Sequence, residues 1–178
     1  MPFPTSSMLG VDLNSANSTA QFALNTKVLG NNNTEWQYVF ATAALTTGQI
    51  VNVFAGGTAI AFTTAILAAT PTSNTGPLDL GVVQFPISSS QYGFVAKRGN
   101  ALQVLVSGTC PPGNAAGYGF APTGGALLTG GLVAVGQTAA GFFPYTSGAA
   151  ANGGATAGLS IVLAVLTYPR PLVGVPQA

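Results

Sequence analysis

In the stretch Glu35-Trp36-Gln37-Tyr38-Val39-Phe40-Ala41-Thr42-Ala43, aromatic residues recur at every second position. Side chains alternate across an extended strand, so Trp36, Tyr38 and Phe40 share one face while Gln37, Val39 and Ala41 share the other. Asn31-Asn32-Asn33 directly before it supplies a turn. Three aromatic rings on one strand face read first as a core surface. Their rival use, a platform on which a sugar ring stacks, requires that the rings be exposed.

Working outward from this strand, short apolar runs alternate with turn signals in both directions. Candidate strands follow at residues 50–54, 58–64, 81–85, 92–97, 101–107, 132–135 and 159–168. In 101–106, Leu102, Val104 and Val106 alternate with Ala101, Gln103 and Leu105, so neither face is polar enough to meet water and both must be covered, by another sheet or another subunit. Residues 71–77 form a proline-bounded loop, Cys110-Pro111-Pro112-Gly113-Asn114 breaks the chain after a strand, and Asn152-Gly153 suits a hairpin turn. Alanine is abundant but lacks a 3.6-residue stripe, and residues 59–69 are the one stretch suited to a short helix. No internal repeat of fixed period is evident. The expected fold is all-β: a short-stranded β-sandwich or barrel with an extended N-terminal arm and little helix. The arm covers residues 1–20, one β domain covers 21–168, and an extended proline-stiffened tail covers 169–178. Arms of this kind become ordered only when a neighbour holds them.

Composition narrows the class further. The 178 residues include four Lys or Arg, three Asp or Glu and no His, and charged residues make up 4% of the chain. Soluble domains average about 25%. A folded monomer of this mass exposes roughly 8,000 Å², or about one formal charge per 1,100 Å². Such a surface favours self-association. A net charge of +1 offers no electrostatic footprint for nucleic acid or anionic lipid. The mean hydropathy of +0.48 argues against disorder. The membrane reading is disfavoured: residues 125–143 are interrupted by five glycines, and 159–168 fall far short of the ~20 residues that a spanning helix needs. The N-terminal residues carry no basic charge and no continuous apolar run, unlike a signal peptide. A single cysteine, Cys110, fits assembly in a reducing cytoplasm.

The residue types that carry most enzyme chemistry are missing. Without histidine there is no Ser-His-Asp or Cys-His arrangement, and one cysteine cannot build a thiolate zinc site. Asp12, Glu35 and Asp79 are widely separated in sequence. Neither Lys27 nor Lys97 follows a glycine, so no phosphate-binding loop is present. No catalytic residue, metal ligand or cofactor site is expected, and an enzyme ranks last. Candidate contact residues remain: Pro2, Phe3 and Pro4 in the arm, Phe22 at its end, Lys97-Arg98, and Arg170 between Pro169 and Pro171. Lys97-Arg98 followed by Gly99 reads either as a solvated turn between two strands or as a grip on an acidic partner. Arg170 presents a planar five-donor group from a stiff segment.

From residue 35 the chain resembles the small capsid decoration (cement) proteins of tailed bacteriophages. The resemblance rests on Phe22-Ala23-Leu24-Asn25-Thr26, on the strand Glu35 to Ala43, on Gly48, Val51 and Val53, and on Gln91-Tyr92-Gly93-Phe94-Val95 followed by Gly99, Val104 and Val106. It covers roughly residues 20–110. It implies a structural virion protein, assembled in the host cytoplasm and present in many copies on the outer surface of the head. Its partners would be the major capsid protein and itself, often as a trimer, fastening neighbouring capsomers. The alternatives are a tail or head-fibre component, a receptor- or glycan-binding module using Trp36, and a hydrophobic surface-layer protein.

Overall fold

A computed structural model describes residues 11–30, 33–61, 79–107, 118–120, 127–128, 138–144 and 159–172. The described part is all-β with no helix. Its strands are β1 (Lys27–Gly30), β2 (Thr34–Ala41), β3 (Ile50–Val53), β4 (Thr58–Ala61), β5 (Asp79–Val83), β6 (Gln91–Ser107), β7 (Tyr118–Phe120), β8 (Leu127–Leu128), β9 (Thr138–Pro144) and β10 (Leu159–Leu172). Five of them close a small mixed barrel in the order β2-β4-β3-β5-β6, with β6 returning to β2. The β2–β4 pair is parallel and the other four pairs are antiparallel. β1 is an extra strand on β2, with Val28 opposite Trp36. Of the turn expected at residues 31–33, Asn33 is described and sits in the left-handed region with φ 58°, a conformation that asparagine tolerates better than most residues; residues 31 and 32 lie outside the described ones.

Closing so small a ring from strands that are apolar on both sides creates two cores. Val39, Ala41, Val51, Val53, Ala59, Val83 and Val95 come from all five ring strands and pack on one face, with Leu45 and Ile87 added from the loops. Those two loops hold each other through paired backbone hydrogen bonds of 2.8 and 3.0 Å. On the opposite face Trp36, Tyr38, Ile50, Leu80, Val82, Phe94 and Ala96 form the second core. Elements outside the ring cover it. Leu13 of the arm is fully buried there, and Leu102 and Val104 of β6 are buried beside it. Thus the arm, from residue 11 onward, lies on its own barrel. Asn17 exchanges backbone hydrogen bonds with Tyr92, and the Gln21 N–H donates to the Tyr38 hydroxyl at 3.1 Å.

β6 reaches this second core by changing direction. Its first half pairs with β2 and β5, and its second half, from Arg98, pairs with β10. Gly99 sits at the change with φ +149°, where an added Cβ would stand 2.5 Å from Thr34 Cγ2. Past this point, Gln103 and Gln84 hold each other through two 2.8 Å bonds, and the Leu105 N–H donates to the Gly48 carbonyl at 2.7 Å. Gly48 in turn donates to Val83 at 2.7 Å. It is therefore the pin between the ring and the returning half of β6.

Two expectations need correcting. Residues 59–61 belong to β4 and are not the start of a helix; pairing with β3 and β2 overrides the helical preference of alanine. Lys97-Arg98 is no turn: both lie inside the continuous strand β6, because the preceding ladder with β2 carries on through Arg98. β10 runs past Tyr168 to Leu172, with a register shift between Leu166 and Arg170. Pro169, which has no N–H to give, falls within that shift. The strand expected at 132–135, the loop at 71–77, the Cys110 break and the Asn152-Gly153 turn lie outside the described residues. Among the described residues no helix is long and apolar enough to cross a membrane.

Replacing Gly48 with alanine tests the pin. Its φ is +81°, and a Cβ would lie 2.9 Å from the Leu105 backbone nitrogen. Left-handed strain and the backbone clash together should cost about 2 kcal/mol, read as a lowered urea midpoint by fluorescence of Trp36, the single tryptophan of the chain.

Candidate functional site

Two groups of side chains on the barrel are candidates for function. The first is aromatic. Tyr38, buried at the centre of β2, packs edge-on against Phe22 at 5.3 Å between ring centroids, against Phe94 at 4.9 Å, and parallel to Tyr92 at 6.1 Å. Phe40 leans on Tyr92 at 4.9 Å. The register explains the grouping, since Tyr38 is opposite Phe94 and Phe40 opposite Tyr92. Phe22, Phe40 and Tyr92 are only partly buried. Leu24, whose Cβ would crowd a Cβ on Gly57, adds an exposed apolar side chain beside them. The Phe40 N–H donates to the Gly57 carbonyl at 2.9 Å, which brings the two ends of this patch together.

Of the expected aromatic core face, Trp36 and Tyr38 are buried in the second core, and Phe40 is half-buried against Tyr92. Trp36 is 1% exposed and its indole N–H donates to the Thr34 hydroxyl at 3.0 Å. A ring so placed has no face to offer a sugar. Phe22, expected at an interface, is half-buried and packs against Tyr38 and Phe94 of its own chain. Sequence reading missed Leu13 and the role of Tyr92, although Tyr92 and Phe94 share the period-two spacing that singled out Trp36 and Tyr38.

The second group is charged, and its members are engaged within the chain. Lys27 meets Glu35 across the β1–β2 pair at 3.3 Å. The Arg98 guanidinium donates to the Asn33 side-chain oxygen. Lys97, with its side chain 3% exposed, donates to Asp79 at 2.5 Å, while the Asp79 carboxyl is 47% exposed. Asp79 is held at the strand start by its own N–H, which donates to the buried Asn52 side chain at 3.2 Å. Desolvation by burial lowers the Lys97 pKa, and the hydrogen bond and charge of Asp79 oppose that shift without cancelling it. Arg170 lies in β10 opposite Ala140. Pro2, Phe3 and Pro4 lie outside the described residues. Among the described residues, no three of His, Cys, Asp and Glu converge as metal ligands would.

No protein-family model, curated protein or solved structure matches this chain.

The buried lysine gives stability a definite pH dependence. Unfolding restores its ordinary proton affinity, so between its lowered folded pKa and the usual lysine range the unfolded chain holds more protons than the folded one. Stability should therefore rise with pH across that window. Lys97→Met should remove this slope, measured by urea unfolding at a series of alkaline pH values. Asp79→Asn, which leaves the ammonium without its counter-charge, should destabilise by about 2 kcal/mol at neutral pH, less than for a fully buried pair because Asp79 is half in water.

Proposed function

We propose that this chain is a structural virion protein, a capsid decoration protein that binds the outer surface of a phage head and steadies contacts between neighbouring capsomers. The observation that carries this reading is electrical. A chain with 4% charged residues pairs Lys27 with Glu35 and Lys97 with Asp79 and hydrogen-bonds Arg98 to Asn33, so the few formal charges of the barrel are mostly balanced at short range. Near-neutral subunits can crowd a lattice without mutual repulsion. Their apolar area contributes about 25 cal/mol per Å² on docking, less the cost of ordering.

The barrel offers suitable area. Phe22, Leu24, Phe40 and Tyr92 form one partly exposed apolar patch, and Leu29 on the extra strand β1 is 56% exposed. The stretches that resemble decoration proteins, 22–26, 35–43, 48–53 and 91–95, lie in and around this same barrel. A head lattice and further copies of the chain are the partners that this surface suits. β1 also adds a strand edge on which backbone hydrogen bonding by a neighbour requires no side-chain charge.

The test mixes the purified protein with heads that lack it, from the virus that carries its gene, and measures occupancy and thermal stability of the heads. Saturable binding with a raised disruption temperature is the expected outcome. Binding that leaves stability unchanged would make the protein a display element, and absence of binding would end the capsid reading.

A further inference from the structure

The ring that closes the barrel occurs a second time. In the first ring, β2 pairs in parallel with β4, β4 with β3, β3 with β5, β5 with β6, and β6 closes on β2. Starting from the second half of β6, the same path runs through β8, β7, β9 and β10, and β10 closes on β6. The first step is again the one parallel pair, and the other four are again antiparallel. The strand that ends the first ring begins the second.

The registers agree in detail. Phe40 and Ala41 pair in parallel with Thr58 and Ala59, as Val106 and Ser107 do with Leu127 and Leu128. Trp36 to Ala41 lie opposite Ala96 to Gln91, residue by residue, and Leu102 to Ser107 lie opposite Ala164 to Leu159. A register shift follows immediately beyond Trp36 in the first ladder and beyond Ala164 in the second. Superposing these ladders aligns Trp36-Gln37-Tyr38-Val39-Phe40-Ala41 with Leu102-Gln103-Val104-Leu105-Val106-Ser107, so that Gln37 falls on Gln103 within two apolar runs. The hairpin sequences echo each other as well. By the same ladders Val53, opposite Ala59, falls on Gly119, opposite Leu128, so that Phe54-Ala55 falls on Phe120-Ala121.

We propose that residues 34–98 and 99–172 are two copies of one five-stranded unit fused through β6, and that the second copy is the partner covering the first copy's apolar outer face. Equivalent residues meet there: Trp36 and Tyr38 of the first unit share a core with Leu102 and Val104, their counterparts in the second. The chain is thus an internal pseudo-dimer whose interface lies around the bend at Gly99. This inference is independent of the capsid reading, which concerns surfaces on the outside of the pair.

Hydrogen exchange on the unaltered protein tests it first. Amides of β7, β8, β9 and β10 should be protected at least 100-fold over an unfolded chain, in step with β2 to β5. A second measurement uses Val106→Cys with Leu127→Cys in a Cys110→Ser background, with Phe40→Cys and Thr58→Cys as the equivalent pair in the first ring. Both pairs should oxidise, and both disulfides should raise the urea midpoint of the Trp36 transition, an increase that reduction abolishes. Free exchange through β7 to β9 would overturn the proposal. So would a 106–127 pair that stays reduced where the 40–58 pair closes, or a 106–127 disulfide that leaves the Trp36 transition unmoved.

Discussion

Strand β2 buries both of its faces, and that single requirement organises the rest of the described chain. Val39 and Ala41 look into one core and Trp36 and Tyr38 into another. One face is satisfied by curling the sheet on itself until β6 meets β2, which also removes the exposed edges that an open apolar sheet would present. The other face needs cover from elsewhere. The arm supplies Leu13 and Phe22, and β6 supplies Leu102 and Val104 after turning at Gly99. The first core takes only Leu45 and Ile87 from the loops and Ala16 from the arm besides its own ring strands.

The scarcity of charge follows the same logic. Strands with two buried faces have few positions from which a charge can reach water, and the few charged residues near them are paired inside the chain. Lys97 is the extreme case. It sits at 3% exposure where the β2–β6 register shifts, and it is tolerated there because Asp79, fixed by Asn52, reaches it from the start of β5. The proposed role on a capsid surface extends this economy outward, from faces covered within one chain to faces covered by a lattice.

The all-β class, the left-handed Asn33 before β2 and the burial of Leu102 and Val104 were legible in the sequence because period-two alternation and Asn or Gly turns are local signals. Burial of Trp36 and Tyr38 followed from the same alternation. What decided the rest is not local. Nothing in Leu13 or Phe22 marks them as core residues until the barrel presents a face that lacks a cover. Residues 59–61 fit both the strand read at 58–64 and the helix read at 59–69, and their ladders with β2 and β3 decide for the strand. Lys97-Arg98-Gly99 has the composition of a turn, yet β6 runs on through it as one strand, with a register shift at Lys97 and its change of direction at Gly99. The second ring is hidden for a related reason: its strands keep the order, polarity and register of the first while almost every side chain differs. Only Gln37 against Gln103 and Phe54-Ala55 against Phe120-Ala121 survive as visible matches.

The central claim is that the chain covers its own apolar faces, and acrylamide quenching of Trp36 over a dilution series addresses it most directly. With single chains established by analytical ultracentrifugation at the lowest concentrations, the account predicts blue-shifted emission and weak quenching that do not change with dilution. Quenching that climbs as the protein dissociates would show that sister molecules, and not the arm and β6, keep water from Trp36.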